Sequence, residues 1–510
     1  MLDAAYRGIA ASYDADDGGF GGAPKFPAAM NLEFLLRTYH RTKAPEALSI
    51  VEHTCRMMAE GGIYDQLGGG FHRYSTDKRW LVPHFEKMLY DNALLSRLYL
   101  HVYQATGDAF YRRIAEETLD YVLREMTDPA GGFYSAQDAD SEGEEGKFFV
   151  WTLEEVKRIL GAEDAVIFSA YYDITEQGNF EGTNILNVPR PAEPVAADLG
   201  VTLQQLSEVL SRGKQLLFTE RERRIKPGRD EKVLTAWNGL MLSSFAEAAV
   251  VLNRSDYRMV AERNADFLLT HLVQDNLFRR SYKDGQAKFN GYLDDYAYTA
   301  EGLLTLYQAT GERRWVESAV AFTQRMVDEF WDSSEGGFFY TGKSHEQLIV
   351  RTKDYFDNAT PAGNSVASSV LLQLSTLTGK EDLHRLAVTI FRLLRSQFVR
   401  YPSAFGHLLG SLDFYLSIPM EIAIIGDPAE PATQALTDAV WHRYLPNKVV
   451  AQSTGTDDLA AEIVPLLRER STTNGAATAY VCEHFACRQP VTTPDDLAMQ
   501  LEESERATKL

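Results

Sequence analysis

The sequence predicts a mainly α protein, a closed toroid of about six helical hairpins followed by a small α/β appendage. Three observations carry that prediction. The pentapeptide Tyr-Gln-Ala-Thr-Gly occurs at 103–107 and again at 307–311, each time ending one apolar helical pattern and preceding another, which marks an internal repeat. The repeated units are uneven, whereas an open solenoid keeps a near-constant period of about 20–50 residues. Long Gly-aromatic loops recur at one junction, after the second helix of each pair, and loops gathered at one end of a ring would roof a central cavity.

The units follow in order. The first runs from Leu32 to Gly61 and Gly62. The second passes through the first pentapeptide into a helix with Ala115, Leu119, Val122 and Leu123 spaced along it, and stops at Asp128-Pro129-Ala130-Gly131-Gly132-Phe133-Tyr134. The stretch from Phe148 to Lys226 is less regular. Phe149-Val150-Trp151 reads as a short strand there, with helical segments around 153–172 and 202–223 that could supply a sixth pair with an insertion. Another unit runs from Leu240 through Asn253 to Phe278. The next leads from the second pentapeptide through Val320, Phe322, Met326 and Val327 to Gly336-Gly337-Phe338-Phe339-Tyr340, and the last from Val366 through Thr378-Gly379 to Phe405-Gly406. Each reads as helix, short Gly turn, helix and Gly-aromatic loop.

Residues 1–418 are therefore expected to form the toroid and 419–510 the appendage. In the latter, Glu421-Ile422-Ala423-Ile424-Ile425-Gly426-Asp427 and Lys448-Val449-Val450-Ala451 read as buried strands around a helix at 433–444, with another helix before Ala479-Tyr480-Val481-Cys482.

Composition narrows the function. The chain is 45% hydrophobic and 11% aromatic, enough for a packed core and unlike a disordered chain. A formal net charge of -21 repels phosphate backbones and anionic lipid, which counts against nucleic-acid and membrane-surface binding. No long apolar run and no secretion-signal core appear, so the expected location is cytoplasmic. Three cysteines make no disulfide framework. Cys482 and Cys487 flank His484, but a tetrahedral zinc site would need a fourth ligand that no neighbour obviously supplies; two structural thiols or a redox-sensitive pair is the reading, with no metal and no cofactor expected.

Candidate site residues concentrate at 61–75 and 82–92, where glycines, aromatics, two histidines and carboxylates crowd the entrance to one long helix. That is the usual lining of a pocket for a small polar molecule such as a sugar. His84 and Asp91, seven apart, share a face if both are helical. An imidazole beside a carboxylate suits proton abstraction next to a sugar carbonyl, or ring opening. His72, Arg73 and Glu86 lie close by, as do Tyr64 and Asp65. The competing reading is a core histidine and a capping or pairing aspartate.

Asp294 and Asp295 open a helix that continues through Thr299, Leu303 and Leu306, where carboxylates serve as N-caps. Either could instead join a carboxylate from another hairpin, Glu86, Asp138 or Asp357, in glycoside hydrolysis. Asp138 opens an Asp-x-Asp-x-Glu run that reads as a solvated loop, since Gly143-Glu144-Glu145-Gly146 follows and no Ca²⁺-loop pattern results. Trp237, Asn238, Tyr296, Asp357, Asn358 and Asn364 would stack on or hydrogen-bond to a polyol, with burial of Trp237 as core the alternative.

Gly18-Gly19-Phe20-Gly21-Gly22-Ala23-Pro24-Lys25-Phe26-Pro27, the 61–92 block, Asp138-Ala139-Asp140-Ser141-Glu142, Leu234-Thr235-Ala236-Trp237-Asn238-Gly239-Leu240, Asp294-Asp295-Tyr296-Ala297-Tyr298 and Tyr480-Val481-Cys482-Glu483 together resemble one known family. It is the thioredoxin-domain-containing protein family related to spermatogenesis-associated protein 20 and the bacterial YyaL proteins, and the resemblance runs along essentially the whole chain. It implies an (α/α)6 toroid, six-hairpin glycosidase-like and similar to that of N-acylglucosamine 2-epimerases. Family members usually begin with a thioredoxin-like domain carrying a Cys-rich redox motif; this chain starts just after where that domain would end, so its disulfide chemistry does not carry over.

The resulting expectation is a carbohydrate-active protein of the sugar epimerase or isomerase type. His84 and His72 are its acid/base candidates, Asp91, Asp294 and Glu86 its orienting or second acid/base groups, and Tyr64, Trp237 and Tyr296 its pocket lining. The alternatives are a glycoside hydrolase with paired carboxylates and a non-catalytic binding module acting with a thioredoxin-like partner.

Overall fold

In the computed structural model, which describes residues 1–346, 349–455 and 458–507, the chain winds through two concentric rings of helices. Helix α1 (Leu2–Ala10) is outer, α2 (Ala29–Thr42) inner, α3 (Pro45–Glu60) outer, α4 (Leu89–Thr106) inner and α5 (Ala109–Glu125) outer. Helices α6 (Leu153–Leu160), α7 (Ala162–Tyr171), α8 (Ala192–Leu199) and α9 (Leu203–Arg221) come next, outside the rings. The alternation resumes with α10 (Thr235–Val251) inner, α11 (Ser255–His271) outer, α12 (Leu293–Thr310) inner, α13 (Arg313–Phe330) outer, α14 (Gly363–Thr378) inner, α15 (Glu381–Arg400) outer and α16 (Gly406–Leu416) inner. The sequence dictates this sorting. Helix α13 buries Trp315, Val316, Ala319, Met326 and Phe330 and turns its charges outward, whereas α10 is buried on almost every side.

The inner helices pack in the cycle α2, α4, α10, α12, α14, α16 and back to α2, so the ring closes. The stretch 148–226 contributes no ring pair. Its helices gather around Trp151, Val156, Phe168 and Leu217 in a core of their own. Gly161, at φ +81, splits the expected 153–172 helix in two, and of the expected 149–151 strand only Trp151 pairs, in an isolated bridge with Asn184. The sixth pair joins distant parts of the chain instead: α16 inside, and outside it α1, which packs against α2 and α15.

The repeat has a physical explanation at its joints. Gly107 and Gly311, the last residues of the two pentapeptides, take φ +73 and +72 and end α4 and α12. At the other end of the inner helices, asparagines clamp the Gly-aromatic loops. Asn92 Oδ1 accepts from the Phe71 N–H (2.7 Å) while its amide donates to the carbonyls of Phe71 (3.1 Å) and Met88 (2.8 Å). Asn238 does the same to Phe133 (2.8 and 3.0 Å) and Leu234 (2.9 Å), and Asn364 to Phe338 (2.8 and 2.9 Å) and Asp354 (2.8 Å). In α12 the Tyr296 hydroxyl takes that place, accepting from the Phe278 N–H at 3.0 Å.

Aspartates then staple neighbouring inner helices. Asp295 accepts from Tyr292 N (2.8 Å) on its own helix and Ala236 N (2.9 Å) at the start of α10. Asp357 accepts from Ala362 N and His407 N, both at 2.8 Å, at the starts of α14 and α16.

Beyond α16 the chain forms a sheet in which Met420–Ile425 lies between Lys448–Ser453, parallel, and Thr478–Glu483, antiparallel. Every residue of Met420–Ile425 is buried, as a central strand requires. Helix α17 (Pro431–Trp441) connects the first two strands, and α18 (Asp458–Ile463) precedes the third. The Lys448–Ser453 strand packs against α12 and α14, and α17 against α10. Cys482 and Cys487 form a disulfide across the hairpin that Ala486–Cys487 makes with Thr478–Glu483. The chain's described part ends with α19 (Pro494–Ala507). Among the described residues, no helix is long and apolar enough to cross a membrane.

Candidate functional site

Charged side chains on otherwise apolar inner helices converge on a central cavity of about 150 Å³. His101 of α4 stands between two carboxylates, its Nδ1 2.8 Å from Glu33 Oε2 on α2 and its Nε2 3.0 Å from Glu247 Oε1 on α10. Burial opposes the charge, but the two glutamates prevail and push the imidazole up to about 9. Burial would likewise raise Glu33; His101, Arg37 and Tyr444 instead hold it down at about 2. Arg97 donates to Glu247 Oε2 at 2.7 Å and comes within 3.7 Å of Glu301 on α12. The Tyr444 hydroxyl donates to Glu33 Oε1 at 2.8 Å. The network is held from several sides, so it is rigid. His407, in the first turn of α16, lines the same cavity, and its ring makes no hydrogen bond or ion pair among the described residues. The cavity's floor is the appendage: Trp441, Tyr444, Leu445, Pro446 and Lys448.

A second pocket, of about 320 Å³, lies where the Gly-aromatic loops meet the starts of the inner helices. Ala29, Met30 and Leu94 line both spaces and form the neck between them. Arg73, Tyr90, Asp91, Asp357 and Asn358 line this mouth. Asp91 Oδ2 is buried without a partner, and burial pushes the carboxyl well above the usual range, against Arg73 and with help from Glu86. Half-buried Trp237 meets the Tyr90 ring edge-on at 4.9 Å. Arg73 pairs with Glu86 at 3.1 Å, and Glu86 reaches His84 Nε2 at 3.5 Å. Asp294, at the start of α12 beside Gly363, is pushed up to about 7 by burial and by Asp295, Arg280 opposing.

Several expected placements need correction. His84 is not helical: Pro83–His84 pairs with Tyr74–Ser75, and Lys87–Met88 with Ala136–Gln137, so α4 starts only at Leu89. His84 and Asp91 therefore share no helix face; His84 stacks near Tyr74 and bonds Glu145 Oε1 at 2.7 Å. His72 is enclosed, its Nδ1 on the Phe85 carbonyl (2.7 Å) and its ring edge-on to Phe85 and Phe149. Burial, aided by Lys87, lowers it to about 3, so it is a neutral core histidine. Tyr64 is buried and donates to Glu117, and Tyr296 is buried in the Phe278 clamp, so neither lines the cavity or the mouth. Asp65 is buried between Lys87 (2.9 Å) and Arg221 of α9 (2.8 Å), where it ties the insertion to the toroid. Asn238 is spent on its loop clamp, and Asp295 on its staple and on Arg280 at 3.1 Å. Asp138 is exposed, accepting from Asp140 N at 3.3 Å.

Human spermatogenesis-associated protein 20 is 37% identical to this chain over 526 residues, a match covering 95% of this chain and 67% of the human one. The chain belongs to the spermatogenesis-associated protein 20 family. The rat protein of that name is 36% identical, over 98% of this chain and 68% of its own length. No family model matches. Among solved structures, a D-mannose isomerase aligns with a TM-score of 0.54 at 11% identity, covering 80% of this chain and 94% of the isomerase. The likeness is one of fold, and it makes the family's six-hairpin toroid one that a carbohydrate-active enzyme also uses.

For this member of the spermatogenesis-associated protein 20 family, the cavity residues Glu33, Arg97, His101, Glu247, Glu301, His407 and Lys448 escaped the sequence reading, which looked to loops. A signal was present. Glu247 is the one charge in α10, and Glu301 the one charge of α12 beyond Asp295. A lone charge on a helix that is apolar all round faces an interior polar space or a partner.

Proposed function

We propose that this protein is a sugar isomerase or epimerase that moves a proton within the central cavity. The observation that carries this reading is His407, an imidazole on the cavity wall with neither ring nitrogen hydrogen-bonded among the described residues. Such chemistry needs a base to take the proton next to the open-chain carbonyl and a fixed positive field where the enediolate oxygen develops charge. His407 suits the first role. Protonated His101 and Arg97, held in place by Glu33, Glu247 and Glu301, suit the second. His101 is not itself the base, because both of its nitrogens are committed to carboxylates. At the mouth, Tyr90 offers an aromatic edge for a sugar ring, backed by Trp237 from outside the pocket lining, and Asp91 and Arg73 offer polar groups beside it. The shared toroid of D-mannose isomerase agrees with the class of reaction.

The test is incubation with D-mannose, D-glucose and related hexoses in D₂O, following deuterium uptake at C2 and product by NMR. Uptake is expected, and His407→Asn should cut it by about 10²-fold or more without lowering the unfolding midpoint. Uptake that survives His407→Asn would remove the residue from the mechanism. One observation favours the glycosidase alternative: Asp294, near 7, sits in the range of a general acid. Release of reducing sugar from disaccharides, lost in Asp294→Asn and without deuterium uptake, would decide for hydrolysis.

A further inference from the structure

We infer that the sugar bound in the central cavity is a monoanionic sugar acid whose carboxylate is received at the floor by Lys448. The inference rests on the reading of the cavity as a sugar site and adds the class of sugar.

The lining charges do not balance. Arg37, Arg97, protonated His101 and Lys448 face Glu33, Glu247 and Glu301, leaving one cation over. The others are matched. Glu33 holds His101 at 2.8 Å and Arg37 at 3.9 Å, Glu247 holds Arg97 and His101, and Glu301 has Arg97. Arg37 is further satisfied by Asn447 Oδ1 at 2.9 Å and by Asp413 at 3.9 Å, a carboxylate outside the lining that Arg41 already neutralises at 3.0 Å. Lys448 is the group left out. It makes no ion pair among the described residues, and its Nζ has a single hydrogen bond, a long one of 3.3 Å to the Leu445 carbonyl. A Trp441 ring lies 4.4 Å from the ammonium and gives it an aromatic wall on one side. Burial lowers the ammonium to about 8 against the pull of Glu247, and Arg97 and Arg37 add to the lowering. An ammonium so placed gains most from an incoming anion, which supplies the missing acceptor and the missing charge together.

The geometry also selects among anions. The excess is a single charge, so a dianionic phosphate would bring its second charge against Glu33, Glu247 and Glu301. Lys448 begins a strand paired in register with Met420, so the amine is presented from a fixed backbone rather than a loop. It sits on the floor, while His407 sits in the first turn of α16, on the side of the mouth. A uronic acid standing on its carboxylate therefore turns its aldehyde end toward His407.

Isothermal titration at pH 7 with D-glucuronate and D-galacturonate, beside the parent hexoses and the hexose 6-phosphates, tests this on the whole protein. In wild type a uronate should bind at least about tenfold more tightly than its hexose and its 6-phosphate. Lys448→Met should erase that preference while changing hexose affinity by less than about threefold. Lys448→Gln serves in the same comparison should the methionine variant fail to fold. A hexose or a 6-phosphate that binds as tightly as the uronate in wild type overturns the inference with no variant needed, and so does a preference that survives the substitution. Hexose binding or turnover without uronate preference leaves the isomerase reading standing and this inference overturned. No binding by any of these sugars overturns both.

Discussion

Asp294 and His101 are both titratable groups moved far from their ordinary values, and they pull stability in recognisable directions. Asp294 is raised from 3.8 to about 7, so the protonated carboxyl stabilises the fold fully below about pH 4 and that contribution is lost as pH rises through 7. Ionised at pH 8, the group costs up to about 4 kcal/mol. Asp294→Asn should accordingly raise the thermal midpoint at pH 8 and leave it nearly unchanged at pH 4; an equal shift at both would show that its environment does not disfavour the charge. His101 is raised from 6.5 to about 9, so its stabilisation is complete below about pH 6 and disappears as pH passes 9, up to about 3 kcal/mol. The stability difference between wild type and His101→Gln, in favour of wild type at pH 7, should shrink between pH 7 and 10. The difference is the readout because Lys448 and Lys87, both lowered to about 8, shift stability in the opposite direction over the same range. Asp294 was legible in the sequence as a carboxylate at a helix start. The setting of His101 was not, because its partners Glu33 and Glu247 lie 68 and 146 residues away.

Asparagine clamps hold three of the Gly-aromatic loops to the inner helix that follows. Removing one strands a buried backbone N–H and C=O of a phenylalanine, each worth about 1–3 kcal/mol when left unpaired. Asn92→Ala, Asn238→Ala and Asn364→Ala should each cost about 2–4 kcal/mol, read as a lower urea midpoint, with Asn238→Ala the worst because Asn264 also donates to its Oδ1 at 3.0 Å. Costs below about 0.5 kcal/mol at all three would mean that water replaces the clamps. The glycine half of the repeat was visible, since left-handed C-caps nearly demand glycine. The asparagine half was read as sugar recognition, because an asparagine near a loop looks alike in either role and its partner, such as Phe133 for Asn238, lies 105 residues off. The insertion was misread for a related reason: amphipathic helices that cover their own small core have the same periodicity as helices that cover a ring.

At the scale of the whole molecule, two long-range closures complete the toroid. The first is α1 meeting α2 and α15, and the second is the appendage meeting the far ends of α10, α12 and α14. Ring closure followed from the uneven units, but neither the identity of the sixth pair nor the floor did, since both join segments with no local signal. A protein ending after Leu416 would take Tyr444 from Glu33 and Asn447 from Arg37 and uncover apolar surface on three inner helices. It should be insoluble or melt well below the full chain; an unchanged midpoint would show that the floor adds nothing to the ring. The same floor governs traffic. On the reading proposed above, with the appendage laid across one end of the ring, a sugar reaching the cavity would pass Met30 and Leu94 at the neck. Through that neck a polysaccharide would offer only its terminal unit, never a link from the middle of the chain.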